Sequence, residues 1–70
     1  MKRTSVESSN LASIGYDEES KTLEIQFHSG GIYQYDDVEK EVYDELMNAE
    51  SHGRYFMSMI RGAYSYSQIR

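Results

Sequence analysis

The stretch Thr22-Leu23-Glu24-Ile25-Gln26-Phe27-His28-Ser29-Gly30-Gly31-Ile32-Tyr33-Gln34-Tyr35 decides the fold. Leu23, Ile25 and Phe27 alternate with Glu24, Gln26 and His28, the period of two that marks a strand with one apolar and one polar face. Ser29-Gly30-Gly31 supplies residues that reach positive φ at little steric cost, so the chain reverses there. Ile32 to Tyr35 returns as a second extended segment and sets Tyr33 and Tyr35 on one face. Two phenols so placed read either as core or as a platform on which a base or a partner side chain stacks. Core packing is the favoured reading, with the pair on the face of Leu23, Ile25 and Phe27 and the phenol oxygens reaching outward.

Upstream, Leu11 to Tyr16 also alternates, with Ala12, Ile14 and Tyr16 on one side and Ser13 and Gly15 on the other. Asp17 to Lys21 is a charged connection of hairpin length. Ser8-Ser9-Asn10 is a polar entry, and residues 1–7 are expected to be a flexible N-terminal segment. Downstream the period changes to 3.6. Asp36 and Asp37 are N-cap candidates, and Glu39 stands three residues after Asp36 as in a capping box. Val38, Val42, Leu46 and Ala49 form one stripe of a helix ending near Asn48 or Ala49. Ser51 caps a second helix to about Arg61, with Tyr55, Phe56, Met59 and Ile60 apolar and Gly62 at C′. Residues 63–70 either dock as an extended tail or fray. The expected fold is α+β, one domain over residues 1–70. It has a three-stranded antiparallel meander followed by two helices on one face of the sheet, with the other face solvated.

Seventy residues form a thin core, because a chain of this length buries only about 60% of the surface it exposes when unfolded. Without cysteine there is no disulfide framework and no thiolate metal site. No apolar run approaches the ~20 residues of a membrane span, and no apolar stretch follows Lys2-Arg3, so a cytoplasmic, unexported domain is expected. The net charge of −5 is unevenly laid out: every Asp and Glu precedes residue 51. From Ser51 to Arg70, Arg54, Arg61 and Arg70 are instead interleaved with Tyr55, Phe56, Tyr64 and Tyr66. A partner feels the local field within a Debye length of about 8–10 Å, so this asymmetry counts for more than the total.

No catalytic constellation stands out. Ser51 and His52 are neighbours on a helix and point about 100° apart, so they do not form a dyad. His52 reads as an exposed first-turn residue and His28 as an exposed strand end. The histidines and carboxylates lack metal-ligand spacing, and Gly30-Gly31 leads into a strand, not into a helix that would receive a phosphate. The expectation is therefore a non-enzymatic binding module with no cofactor and no metal. Single-stranded RNA or tRNA suits the aromatic and arginine residues. Arg54, Arg61 and Arg70 would meet phosphates, and Tyr33, Tyr35 and Tyr64 would stack or support. The alternative is a protein partner or self-association through adaptable apolar surface at Met47, Met57 and Met59, although a monomer is expected.

An ordered set of residues resembles a known family. Ser8-Ser9-Asn10-Leu11, Ile14-Gly15-Tyr16-Asp17, Leu23-Glu24-Ile25, Ser29 to Tyr35, Val42-Tyr43, Leu46-Met47 and Gly53-x-Tyr55-Phe56 are similar to the KTSC domain, as are Ile60-Arg61 and Tyr64. That domain occurs at the C-terminus of some lysyl-tRNA synthetases and alone as a small bacterial or phage protein. The resemblance spans roughly residues 6 to 70 and implies, through the synthetase context, an RNA partner. Met57, Glu39 and Ser65 depart from the pattern, which commonly has asparagine at the first position and proline at the other two.

Overall fold

Alternating residues along the chain pair into one antiparallel sheet in a computed structural model that describes residues 1–70. Its strands are β1 (Arg3–Ser5), β2 (Leu11–Asp17), β3 (Thr22–Phe27), β4 (Ile32–Tyr35) and β5 (Tyr66–Gln68), in the order β1-β2-β3-β4-β5. β2 to β4 are the expected meander, but the sheet has five strands, not three. Arg3–Ser5, within the segment read as flexible, pairs with Gly15 to Ser13. The tail pairs too: Tyr66 lies opposite Tyr35 and Gln68 opposite Tyr33. Both added strands are three residues long, exposed and largely polar, so backbone hydrogen bonds place them without any apolar alternation to announce them.

Cross-strand partners share a face. Ile14, Ile25 and Tyr33 are therefore aligned, as are Tyr16, Leu23 and Tyr35. One detail corrects the sequence reading. Leu11 pairs with Phe27 and Ser13 with Gln26, so Ala12 is the extra residue of a bulge. The bulge switches the alternation and turns Leu11, not Ala12, into the core, where it is fully buried.

The first helix also starts later than expected. Asp37 adopts φ +58°, and Val38 is fully buried before the helix begins. The Val38 N–H bonds the Lys21 carbonyl at 2.9 Å, and its own carbonyl accepts from the Tyr16 hydroxyl. This docking against the β2–β3 turn takes Asp36 and Asp37 out of capping position. Helix α1 (Lys40–Asn48) begins after Glu39, whose side chain caps no backbone N–H and pairs instead with Lys21 Nζ at 3.1 Å.

Helix α2 (His52–Tyr55) starts as expected, with Ser51 Oγ accepting from the Arg54 N–H at 3.1 Å. It continues as a π-helical turn over Phe56–Ile60, closed by the Arg61 N–H on the Phe56 carbonyl at 2.9 Å. Gly62, at φ +82°, then takes the left-handed conformation that ends the helix. Phe56 and Ile60 point inward, leaving Met57, Ser58 and Met59 exposed as a block.

Both helices cover one face of the sheet. Tyr43 of α1 stacks on Tyr16 of β2 with centroids 4.9 Å apart. Phe56 meets Phe27 and Tyr35 edge-on at 5.4 and 5.5 Å. Leu11, Ile14, Leu23, Ile25, Val38, Leu46 and Ile60 fill the space between. His52, expected to be exposed, is half-buried; its Nδ1 donates to the Leu46 carbonyl at 2.8 Å and ties α2 to the end of α1.

The opposite face is not simply solvated. Glu24 and Ser13 there are 4% and 6% exposed. Arg3 reaches across from β1, its Nε donating to Ser13 Oγ at 3.0 Å and its guanidinium pairing with Glu24. Gln34 donates to the same carboxylate at 2.8 Å. Burial alone would raise the Glu24 carboxyl, but the Gln34 and Arg3 hydrogen bonds and the Arg3 charge outweigh it and hold it below the usual range. Gly15 lets β1 approach, because a Cβ there would lie 2.7 Å from the Lys2 carbonyl oxygen.

A depressed carboxyl stabilises the fold at pH values above its unfolded value, and that stabilisation is lost as pH falls through the lower folded value. Urea midpoints measured between neutral and acid pH are expected to fall less steeply for Glu24→Gln than for the parent. Arg3→Ala, which leaves Glu24 without its ion pair, is expected to cost about 1–3 kcal/mol at neutral pH.

Candidate functional site

The alternation that buries Leu23 and Ile25 carries Phe27, Tyr33 and Tyr35 to the same face, at the side of the sheet where β5 adds Tyr66. These rings and Phe56 line a groove of about 460 Å³, with Ser29, Met57, Arg61 and Gly62 completing its wall. Tyr33 packs edge-on to Phe27 at 5.5 Å. Tyr66 leans over Tyr33 and Tyr35 with centroids 5.8 and 5.7 Å away, yet remains 60% exposed. Tyr35 is core, as favoured from the sequence, whereas Tyr33 is half-buried and presents part of its ring.

Arg61 is the one charged residue among the nine that line the groove. Its side chain touches Met57, with Nη1 to Sδ at 3.6 Å, and enters no ion pair. The ion pairs of the structure are Arg3–Glu24, Lys21–Glu39 and Lys40–Asp44, so Arg54 and Arg70 are likewise free of carboxylates. Neither residues 25–35 nor residues 51–70, which frame the groove, contain Asp or Glu. Burial, reinforced by the charges of Tyr33 and Tyr66 and opposed by Arg61, pushes the Tyr35 phenol up to about 12.

A second cleft of about 360 Å³ adjoins the first and shares Phe27, Ser29, Phe56 and Met57 with it. Asn10, His28 and Gly53 form its far side. His28 is exposed, as expected, with Nε2 2.9 Å from the Ser8 carbonyl.

The six residues nominated from the sequence do not form one surface. Tyr33, Tyr35 and Arg61 meet in the groove. Arg54 lines a separate shallow depression with Glu50, Tyr55 and Met59. Tyr64 is half-buried against the core, near enough to Tyr55 to contribute to that phenol's raised pKa. Arg70 stands at the end of β5, its carbonyl accepting from the Ile32 N–H at 3.1 Å. Sequence reasoning left out Tyr66, Met57 and Phe27 as groove residues. Tyr66-Ser67-Gln68 carries no apolar alternation, so no local signal marked β5 or placed Tyr66.

The fold and groove define a small α+β domain with an open aromatic seam between sheet and helix. A family model described as the KTSC domain matches residues 7–64, and the chain belongs to that family. An uncharacterised protein of Stutzerimonas stutzeri is 44% identical over 61 residues, covering 87% of this chain and 86% of that protein. A lysine–tRNA ligase of Nostoc sp. is 40% identical over 63 residues; the match covers 90% of this chain but only 11% of the ligase. The crystal structure of a KTSC domain protein from Yersinia pestis superposes with a TM-score of 0.96 at 40% identity, over 99% of this chain and 97% of that one.

The raised Tyr35 phenol has a measurable consequence. Between the ordinary tyrosine value of 10.0 and about 12, the unfolded chain releases this proton and the folded chain keeps it, so stability declines as pH rises through that window. Ultraviolet titration of the folded protein is expected to show two phenols, Tyr35 and Tyr55, ionising near 12, and Tyr35→Phe is expected to remove one of the two.

Proposed function

We propose that the chain is a non-enzymatic module that binds single-stranded RNA in the aromatic groove. The observation that carries this reading is the company Tyr66 keeps. Its exposed ring lies beside Tyr33, an unpaired Arg61 stands on the same wall, and no lining residue carries a carboxylate. Bases stack on such rings for about 1–3 kcal/mol each without regard to sequence, and a guanidinium alongside meets the phosphate. The overall charge of −5 opposes RNA only where its acids lie, and they lie outside the segments that frame the groove. Arg70 follows β5, the strand that carries Tyr66, and its backbone carbonyl accepts from the Ile32 N–H of β4. The lysine–tRNA ligase relatives add context, since a protein named for acting on tRNA carries a region like this one.

A protein partner is the second reading, favoured by Met57, Met59 and Ile69, each about half exposed. It predicts sedimentation that rises with concentration, or a complex that salt leaves intact.

The RNA reading is tested by following backbone amides during titration with short single-stranded RNA at several salt concentrations. Saturable shifts are expected at Phe27, Tyr33, Met57, Arg61 and Tyr66. Tyr66→Ala should weaken binding by about 1–3 kcal/mol. Arg61→Gln should lower the dependence of log K on log salt by about 0.7, the contribution of one phosphate contact in a single strand. Absence of any saturable shift at low salt would rule the reading out.

A further inference from the structure

Arg61, the only cation of the groove, has one polar side-chain partner, and that partner is an oxidisable sulfur. Its Nη1 lies 3.6 Å from Sδ of Met57, four residues earlier on the π-helical turn. A thioether is a weak acceptor, so this contact leaves the guanidinium available to a stronger one. Met57 is 47% exposed, which opens its sulfur to a small oxidant in solvent. It also lines both the groove and the second cleft, so a change in its polarity is felt along the apolar floor they share. The chain has no cysteine, and four methionines carry all of its sulfur. Met1 and Met59 are exposed to a similar degree and Met47 is half-buried, but the sulfur of Met57 is the one that meets a hydrogen-bond donor.

From this contact we infer that Met57 is an oxidation site whose sulfoxide engages Arg61 and so weakens the groove's hold on RNA. The consequence for RNA rests on the reading above; the sulfoxide–Arg61 contact does not. With hydrogen peroxide as the oxidant, a sulfur lone pair bonds to one peroxide oxygen as the O–O bond breaks. The other oxygen leaves and takes up the proton shed by the transferred one, giving water. Sulfur gives up two electrons and peroxide accepts them. The product is polar and is returned to the thioether by methionine sulfoxide reductases. Its oxygen is a full acceptor where the thioether was a weak one. The rotatable methionine side chain sets that oxygen against the guanidinium it already touches. A charge-assisted bond there holds Arg61 on its own helical turn, and a phosphate has to displace it. The same oxygen places a polar group on the floor formed with Phe27 and Phe56. Met1 and Met59 line neither cavity, so their oxidation has neither effect.

The test treats the full chain with hydrogen peroxide and locates the added oxygens by peptide mass spectrometry. It then follows the Arg61 side-chain N–H signals and the affinity for a short single-stranded RNA. Oxidation of Met57 is expected to move the Arg61 signals with no RNA present, and methionine sulfoxide reductase is expected to move them back. Affinity for the RNA should fall about tenfold, as for loss of one hydrogen bond to a charged group. Met59→Leu should respond to peroxide as the parent does. Met57→Leu, compared with itself before and after treatment, should show neither the Arg61 shift nor the loss of affinity, although Met1 and Met59 still take up oxygen. Arg61 signals that ignore oxidation of Met57, or a loss of affinity that Met57→Leu retains, would overturn the oxidation site and leave the RNA reading standing. An Arg61 shift on oxidation in a protein that binds no RNA before or after treatment would overturn the RNA reading and the control of it, and leave only the sulfoxide contact.

Discussion

The contact on which the rest depends is the seat of Phe56, whose ring meets Phe27 of β3 and Tyr35 of β4 edge-on. In a domain of 70 residues there is no second layer to compensate for a helix that slips. Aromatic pairs of this geometry contribute about 0.5–1.5 kcal/mol each beyond the area they bury. They also fix the height of the helix above the sheet. The π-helical turn begins at Phe56 itself, so this anchor decides that Ile60 returns to the core and that Met57 to Met59 stay outside. Both cavities have Phe56 in their floor, and they share its two edges with Phe27 and Met57. The apolar contact that holds the fold together is thus also the base of the proposed site.

Size explains the two edge strands. A three-stranded meander would leave Glu24 on an open face and Tyr33 on an open edge. β1 brings Arg3 to Glu24 and closes the polar side; β5 brings Tyr66 and Gln68 opposite Tyr35 and Tyr33 and completes the aromatic side. Each strand is too short to stand alone and gains its order from the meander it borders. The charges follow a similar division. Of the carboxylates at and just before α1, Glu39 pairs with Lys21, Asp44 pairs with Lys40, and Glu45 accepts from the Tyr55 hydroxyl. The arginines of the last twenty residues meet no carboxylate. An acidic protein can in this way keep one region open to an anionic ligand.

Much of this could be read from residues alone. Alternation along β2, β3 and β4 follows from local stereochemistry, and so do the glycine turn, the Ser51 cap and the Gly62 helix end; all were legible. So was the burial of Tyr35, because Leu23 and Ile25 declare which face is inside. What could not be read is of another kind. The bulge at Ala12 arises from how β2 must match β3, and it moves Leu11 into the core against strict alternation. Asp36-Asp37 looks like a cap, but the docking of Val38 on the β2–β3 turn outweighs a local preference worth about 1 kcal/mol. β1 and β5 carry too few apolar residues to show themselves. The six nominated site residues shared a segment or a composition, not a surface, and only three of them meet. The sequence by itself determined which residues turn, which alternate and which cap, since those are settled within a few bonds. Tertiary structure alone decided that Tyr66 lies beside Tyr33, that Arg61 faces them unpaired, and that Asn10 borders the same floor from the other side. Those placements depend on packing between segments far apart in the chain, where no local preference reaches.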